Sequence, residues 1–158
     1  MHIITGDGGI DVSNDFLFYE SKQSKEVDEQ TLSQIVNFRR EEIKRQIEFI
    51  EIGDNTWIGE DCYIYNLASI KIGSNVSIAH KNFFNTGGHD YKKPTFDIFA
   101  NPIIIEDEVW ITSEVYISPG VKISKGAVIG VRSAVFNDIP EGMLCYGNPA
   151  KVVKKRNE

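Results

Sequence analysis

The chain has 158 residues, of which 41% are hydrophobic and 25% charged, a composition typical of a globular domain with one core. Its net charge of −6 argues against general nucleic-acid binding. The apolar runs are far shorter than the ~20 residues that span a membrane, and the first residues lack the pattern of a signal peptide. We therefore expect a cytoplasmic protein with no integral membrane segment and no nucleic-acid partner.

Residues 1–50 form the first predicted segment, and its second half has the pattern of one amphipathic α-helix. Over about 26–50, apolar side chains recur at helical spacing with charged residues between them: Leu32, Ile35, Val36, Ile43, Ile47 and Ile50. We expect this helix to cover the open end of the repeats that follow, because an uncapped repeat exposes core and strand edges. Ahead of it, Ile4, Ile10 and Phe16 lie six residues apart, which fits either a first turn of repeat or a strand with a glycine-rich turn.

Residues 51–140 carry an aliphatic side chain at nearly every sixth position, and the fourth residue after most of these is small or β-branched. An α-helix, with 3.6 residues per turn, would spread such side chains around its surface. Three short strands and three tight corners per coil would instead bury both columns, so the pattern predicts an all-β solenoid, a parallel β-helix. The six-spaced column comprises Ile52, Ile58, Ile64, Ile72, Ile78, Ile105, Ile111, Ile117, Ile123, Ile129 and Val135.

The column is interrupted between Ile78 and Ile105, which are 27 residues apart (105 − 78). Three repeats of six account for 18 of these residues and leave nine, which we expect to leave the ladder as one protruding loop at about 84–101. Loops on a rigid scaffold frequently carry binding and catalytic residues. The composition also suits a protruding segment, with Gly87, Gly88, Pro94, Phe96, Phe99 and Pro102.

His89 lies in this loop, in the stretch "TGGHDY". An imidazole titrates near neutral pH and suits a general base, although a histidine held structurally in a loop is the simpler alternative. His80 directly follows a column residue and is interpreted as structural or solvent-facing. A zinc site of three histidines would have to recruit all three in the chain, His2 included, so we expect no metal. The two cysteines, Cys62 and Cys145, form no close-spaced metal motif, and Cys62 is expected to be a buried thiol.

Three stretches taken together resemble the hexapeptide-repeat acyltransferases: "TGGHDY", "NPIIIEDEVWITSEVYISPGVKISKGAVIGVRSAVFNDIP" and "GNPAKVVKK". Within that superfamily they are similar to the colanic-acid-biosynthesis acetyltransferases and, more distantly, to the galactoside, maltose and nodulation-factor O-acetyltransferases. The resemblance runs from about Ile50 to Arg156. It implies a left-handed β-helix, a handedness that sequence alone would not suggest, since parallel crossovers are nearly always right-handed. It also implies a homotrimer that transfers acetyl from acetyl-CoA to a sugar hydroxyl of a small molecule or glycan, in surface or capsular polysaccharide biosynthesis.

The resemblance also implies roles for individual residues. His89 occupies the position of the catalytic histidine. The donor acetyl-CoA would contact Trp110, Thr112, Ser113, Gly130, Val131, Arg132, Lys151 and Lys154, and a backbone N–H near Ser113 would face the developing oxyanion. The two lysines belong to a basic C-terminal tail, residues 141–158, in which four cations against Glu158 give +3 from Leu144 onward. The acceptor-side candidates are Asn66, Asp90, Tyr91 and Phe96.

Several alternatives stay open at the level of sequence. Trp110 would equally suit a subunit interface, while Gly130 and Asn66 would equally suit coil corners. Asp90 could orient the imidazole of His89, although adjacent residues of an extended segment point in opposite directions. Some relatives have Thr-Lys after the last repeat where this chain has Phe136-Asn137, which puts the phosphate contacts in doubt.

Two other functions remain as alternatives to sugar O-acetylation. One is N-acetylation of an amino sugar, in which a neutral amine would depend less on a base. The other is a non-catalytic β-helix that serves as an assembly or binding module. A histidine on a protruding loop and a basic tail argue against the second alternative, because a pure scaffold requires neither.

Overall fold

The computed structural model describes residues 2–4 and 49–158, and within these ranges the chain forms strands and no helix. Sheet A contains β1 (His2–Ile4), β4 (Tyr63–Tyr65), β7 (Phe83–Asn85), β12 (Tyr116–Ile117) and β15 (Ala134–Val135), in that order. Sheet B contains β13 (Lys122–Ile123), β10 (Ile103–Ile105), β5 (Ile70–Ile72) and β2 (Ile50–Ile52). Sheet C contains β17 (Ala150–Lys155), β16 (Met143–Gly147), β14 (Val128–Ile129), β11 (Trp110–Ile111), β6 (Ser77–Ile78) and β3 (Trp57–Ile58). A separate hairpin pairs β8 (Gly87–His89) with β9 (Ile98–Ala100).

Successive strands from β2 to β7, and again from β10 to β15, join sheets B, C and A in rotation, and each such round is called a coil here. Neighbours within a sheet are parallel, except that β17 runs antiparallel to β16. Ile104 pairs with Lys122, eighteen residues later, and this interval equals three repeats of six. Ile50 pairs with Ile70, twenty residues later, which accommodates the two-residue shift in the first coil. The predicted all-β architecture with parallel strands is confirmed.

The six-spaced column forms the core wherever coils stack on both sides. Ile111, Ile117, Ile123 and Ile129 are each 0% exposed. The residues four positions after each member of this column form a second column of smaller residues, which contributes further buried side chains such as Val115 and Ala127. Polar members of the smaller column are hydrogen-bonded to the corners: the amide of Asn82 donates to Ala79 O and accepts from the Val115 N–H. A two-residue strand suffices because the strands above and below pair with it.

The corners repeat one backbone conformation at the same position of each repeat. Between sheets C and A, the third corner residue of each coil has a left-handed φ between 57° and 61°: Asp61, Lys81, Glu114 and Arg132. Because the conformation puts a residue's Cβ close to its carbonyl, it is uncommon outside glycine and asparagine. The corners between sheets B and C repeat it at Asn55, Asn75 and Glu108, because a six-residue repeat must turn the chain sharply three times per coil.

The excursion from the ladder is longer than predicted. Phe83 pairs with Tyr116, 33 residues later, whereas the coils that follow repeat every eighteen, so fifteen residues leave the ladder rather than nine. The predicted count is wrong because Phe84, six residues after Ile78, is a buried core residue of β7, and the next core residue of the column is Ile105. Only two repeats, not three, therefore fit between Ile78 and Ile105.

The predicted amphipathic helix lies mostly outside the described residues. Its last residue, Ile50, is not helical: it begins β2, and Phe49 before it offers its carbonyl to the Ile70 N–H. Ile4 lies in β1, which pairs in parallel with β4 and so adds a strand to sheet A, whereas Ile10 and Phe16 lie outside the described residues. None of the described segments is an apolar helix of membrane-spanning length.

Candidate functional site

A β-hairpin carries His89 away from the coils. Gly87 and Gly88 pair with Ala100 and Phe99, and His89 pairs with Ile98 at the last rung before the tip. Gly88 is required by close approach, because a Cβ there would lie 3.0 Å from the Phe99 ring. At the base, Asn85 donates its side-chain amide to the Tyr116 hydroxyl at 2.9 Å and accepts the Gly87 N–H at 3.1 Å. The hairpin is therefore anchored to sheet A by hydrogen bonds as well as by the chain.

The tip of the hairpin is held by a set of local hydrogen bonds. The Asp90 N–H donates to Asp97 O at 2.8 Å, and the Asp90 carboxylate accepts the Lys92 N–H at 3.1 Å. Lys93 Nζ lies 3.0 Å from Asp97 Oδ2, and hydrogen bonds from Thr95 and Lys93 lower the pKa of the Asp97 carboxyl. These contacts fix the frame around His89 although every residue from 91 to 102 is exposed.

The His89 ring is oriented by Phe96. Its Nδ1 lies 2.8 Å from Phe96 O, and the two rings stack with centroids 4.2 Å apart and an interplanar angle of 8°. A carbonyl oxygen can only accept, so Nδ1 must carry the proton of this hydrogen bond. The neutral imidazole then has its free lone pair on Nε2. The sequence left open whether Asp90 orients the ring; the hydrogen-bond partner is the Phe96 carbonyl, while Asp90 binds the Lys92 N–H.

The four acceptor-side candidates are not gathered in one place. Asp90 and Tyr91 lie at the hairpin tip beside His89, where they line an open concavity of about 410 Å³ together with Lys92, Asp97 and Phe99. Phe96 stacks on His89 itself. Asn66 is only 2% exposed and directly follows β4, one coil from the base of the hairpin, where the Thr86 N–H donates to Tyr65 O at 2.9 Å. A buried side chain of this kind does not face solvent in the single chain.

The candidate donor residues lie together on sheet C and its corner toward sheet A. Trp110, Val128, Leu144 and Lys154 form one row across the outer face, through successive strand pairs. Thr112, Gly130, Tyr146 and Lys151 form the neighbouring row, and the pairing of β16 with β17 shifts by one residue between the two rows, at Leu144/Cys145. Trp110 is 47% exposed, so its ring is available to a ligand or to another chain.

Gly130 has a structural reason to lack a side chain. A Cβ at this position would lie 2.7 Å from Cβ of Tyr146 on the adjacent strand, a distance that real Cβ atoms essentially do not adopt. The Gly130 N–H also donates to Cys145 O at 2.8 Å, so the backbone cannot easily move away. Gly130 therefore keeps the second row flat between Thr112 and Tyr146.

Ser113 and Val131 occupy the same corner in successive coils. The Ser113 carbonyl accepts the Arg132 N–H at 3.1 Å, and Thr112 Oγ1 donates to Ile129 O at 2.8 Å. Among the described residues, none accepts a hydrogen bond from the Ser113 N–H. At other corners a side chain of the next coil meets the equivalent N–H, as Asp107 Oδ1 does for Ser74 at 2.7 Å. The aliphatic Val131 cannot do so, and this amide is left available.

The C-terminal tail is an ordered strand. Lys151 pairs with Tyr146 and Lys154 with Leu144, so both lysines extend the two rows of sheet C. Arg156 is committed elsewhere, because its Nη1 donates to Glu108 O at 2.9 Å and to Gly126 O at 3.1 Å. This role could not be predicted, since the pattern of basic residues does not distinguish a cation that caps corner carbonyls from one that faces a ligand.

The hairpin leaves one side of sheet A. The two rows of candidate donor residues, called the donor rows here, lie beyond the opposite side of that sheet. The chain enters β7 from the corner that stacks on Ser113 and leaves its other end for the hairpin. Within one chain, the width of a sheet A strand therefore separates His89 from Ser113. Of the described residues, no group of three or more His, Cys, Asp or Glu is arranged to hold a metal ion.

The comparisons with known proteins agree with these observations. No protein-family model matches the chain. It is 40% identical over 109 residues to a protein assigned as the colanic acid biosynthesis acetyltransferase WcaF of Escherichia coli (strain K12), covering 69% of this chain and 60% of that protein. The chain thus spans about 60% of the length of this relative.

Solved structures show the same relationship. The hexapeptide-repeat acetyltransferase VCA0836 of Vibrio cholerae, solved with acetyl-coenzyme A, matches with TM-score 0.65 and 35% identity over 68% of this chain and 61% of that chain. A maltose O-acetyltransferase from Clostridium difficile matches with TM-score 0.65 and 34% identity over 67% of this chain and 58% of that chain. The resemblance expected from the sequence is confirmed, and the chain is a homologue of the hexapeptide-repeat acetyltransferases.

Proposed function

We propose that the protein is an acetyl-CoA-dependent O-acetyltransferase that acts on a sugar hydroxyl in surface or capsular polysaccharide biosynthesis. The observation that carries the proposal is the His89 imidazole, whose Nδ1 is held by Phe96 O while Nε2 is left to accept a proton. A scaffold would not need an accessible base on an anchored hairpin. Relatives whose names specify colanic acid biosynthesis and maltose acetylation support a sugar acceptor.

In this reaction His89 would accept one proton and later return it. Nε2 would take the proton of the acceptor hydroxyl as its oxygen forms a bond to the thioester carbonyl carbon of the donor. The carbonyl oxygen becomes negatively charged, and the Ser113 N–H is available to donate a hydrogen bond to it. When the carbon–sulfur bond breaks, the imidazolium returns its proton to the departing sulfur. The products are the acetyl ester and the free thiol of coenzyme A.

The outer face of sheet C fits an extended donor of this kind. Its two rows offer the exposed Trp110 ring, the flat backbone at Gly130 and two lysines at the far edge. An apolar and amide-rich arm suits the first two features, and phosphates suit the third. A published structure of a homologue contains acetyl-coenzyme A, which supports this identity for the donor.

The site requires a second copy of the chain. His89 and Ser113 stand at opposite ends of sheet A in one chain, so we propose a homotrimer in which the hairpin of one left-handed β-helix faces the donor rows of its neighbour. An aromatic column along sheet A supports such an interface, with its two end residues exposed and its two middle residues half-buried. Tyr63, Phe83, Tyr116 and Phe136 follow one another with ring centroids 5.7 to 6.4 Å apart. Sedimentation should give three times the chain mass of 17.8 kDa. A mass near 17.8 kDa would remove the shared site.

The decisive experiment compares two histidines. A panel of sugar acceptors with acetyl-CoA, followed by release of free thiol, should first identify an acceptor for the wild type. His89→Ala should then lower kcat by ~10²–10⁴-fold with little change in donor binding, because the donor rows lie on the coils. His80→Ala is the matched control, since the His80 side chain is exposed and its ring meets the edge of the Trp57 ring, with centroids 5.7 Å apart.

Two results would contradict the proposal. Full activity of His89→Ala on hydroxyl acceptors would mean that the hairpin has another purpose. Activity confined to amino-sugar acceptors, with weak dependence on His89, would replace O-acetylation by N-acetylation.

A further inference from the structure

Phe96 makes two separate contacts with His89 across the tip of the hairpin. Its carbonyl oxygen accepts from Nδ1 at 2.8 Å, and its ring lies parallel to the imidazole at 4.2 Å. The carbonyl fixes which nitrogen is protonated, and the ring fixes the plane in which the imidazole lies. Together they determine the direction of the Nε2 lone pair.

The backbone of Phe96 is held in an uncommon conformation. Its φ is +50°, in the left-handed region that favours glycine and asparagine over residues with bulky side chains. The Lys93 N–H donates to Asp90 O at 3.1 Å, and the Phe96 N–H donates to Lys93 O at 3.0 Å. These two consecutive turns wrap the tip and bring Phe96 back across His89.

Burial does not explain why a phenylalanine stands here. In the single chain the residue is 55% exposed, so it contributes little to a core. A glycine or asparagine would adopt the same φ more readily and would offer the same carbonyl. What only an aromatic side chain adds is the flat surface against which the imidazole stacks.

We infer that Phe96 is a positioning residue for His89, fixing the tautomer through its carbonyl and the ring plane through its side chain. This inference rests on the proposed function for its catalytic consequence, and it assigns Phe96 to the base instead of to the acceptor. A residue that contacted the acceptor would mainly change the acceptor KM, whereas a positioning residue changes kcat.

The test uses three substitutions at one site. Phe96→Ala removes the ring, Phe96→Tyr keeps it, and Phe96→Gly removes it while relieving the backbone conformation. We expect kcat to fall about tenfold or more in the alanine and glycine variants, with acceptor and donor KM within about twofold of the wild type. The tyrosine variant should stay within about twofold of the wild type. Trp57→Ala is the control, because it removes the aromatic contact of His80, a histidine outside the hairpin.

A spectroscopic measurement separates this inference from the proposed activity. In the wild type labelled with ¹⁵N-histidine, the neutral His89 imidazole should be protonated at Nδ1 alone, with the signal assigned by its loss in His89→Ala. Phe96→Ala should shift the ¹⁵N signals toward a mixture of tautomers, because an imidazole whose plane is no longer held can rotate away from Phe96 O. Phe96→Tyr should keep the wild-type signals. Unchanged signals in Phe96→Ala, or a loss confined to acceptor KM, would overturn the inference. If no acceptor is ever acetylated but the signals depend on the ring at position 96, the proposed function fails while the positioning role stands.

Discussion

Arg132 and Glu114 stand one coil apart at the same corner, with Arg132 Nε 2.8 Å from Glu114 Oε2. Each occupies the left-handed corner position of its coil, with φ of 58° and 61°, so their side chains leave the backbone in parallel. The hydrogen bond lowers the pKa of the Glu114 carboxyl and raises that of the Arg132 guanidinium. A cation proposed to meet phosphate is thus already partnered by a carboxylate.

This pairing predicts that Glu114→Gln should tighten coenzyme A binding. The pair is exposed, with side chains 77% and 44% accessible, so its own contribution is small, and releasing Arg132 should tighten coenzyme A binding by at most roughly fivefold. Calorimetric titration at low salt measures the change. Glu106→Gln is the matched control, because it frees Lys122 on sheet B, away from the donor rows. An unchanged affinity in Glu114→Gln would show that Arg132 does not contact the ligand.

Lys151 and Lys154 should supply the main electrostatic attraction for the donor. Replacing both by alanine should weaken coenzyme A binding by about tenfold at low salt and reduce its dependence on salt, since exposed charges are screened. Replacing Lys71 and Lys122 by alanine changes the net charge equally, but both lysines lie on sheet B, where they pair with Glu51 and Glu106. Equal losses in the two double variants would indicate a general charge effect without a phosphate site.

The sequence determines the coils well because their signal is repeated. A six-residue period reports burial directly, and Ile111, Ile117 and Ile123 are all 0% exposed as the period requires. The period also predicts that Trp110 lies beside Val128, eighteen residues later, because residues a coil apart must be neighbours once the phase is known. The excursion has no such redundancy. Phe84 stands at a column position but is aromatic, not aliphatic. It was therefore not recognised as a core residue, and the number of residues in the loop was predicted wrongly.

Contacts made by single residues could not be predicted from the sequence for a different reason. The bond from His89 Nδ1 to Phe96 O depends on two turns and one left-handed φ within the hairpin tip, none of which has a periodic signature. Arg156 likewise looked like one of four tail cations. Its bonds to Glu108 O and Gly126 O depend on where the antiparallel β17 ends, which the spacing of basic residues does not encode.

Arg156 should stabilise the last coils by holding the tail against the corner between sheets B and C. Its Nη1 binds two corner carbonyls, and its N–H donates to Gly142 O at 2.8 Å. Arg156→Ala should lower the free energy of unfolding by about 1 kcal/mol, because two charge-assisted bonds are lost at an exposed site. Arg156→Lys should recover part of this, and Lys155→Ala, next to it in sequence, should be nearly neutral.

The same substitution has a second expected effect, on binding. If the Arg156 anchor keeps β17 in register, its loss should speed amide hydrogen exchange in Lys151 and Lys154 and weaken coenzyme A binding although neither lysine has changed. Normal exchange and normal affinity in Arg156→Ala would show that the pairing of β16 with β17 suffices on its own.

The two cysteines should not react with thiol reagents in the native protein. Cys62 and Cys145 are each 0% exposed, and burial raises the pKa of both thiols, which disfavours the reactive thiolate. Assays of free coenzyme A thiol should therefore carry no background from the folded enzyme, whereas the unfolded chain should react at both cysteines. Rapid labelling of the native protein would mean that the part of the fold around the labelled cysteine opens readily.

The same burial sets a dependence of stability on pH. As pH rises above the ordinary thiol value of about 8.5, the unfolded chain releases its thiol protons while the folded chain, with raised pKa values, retains them. The free energy of unfolding should therefore be full below that pH and fall above it, by at most about 1.4 kcal/mol per pH unit for each thiol. Cys145→Ala should remove one of the two contributions and make the decline shallower. Chemical unfolding at pH 7.5, 8.5 and 9.5 would measure the slope, and an identical slope in wild type and variant would show that Cys145 keeps its ordinary pKa in the folded chain.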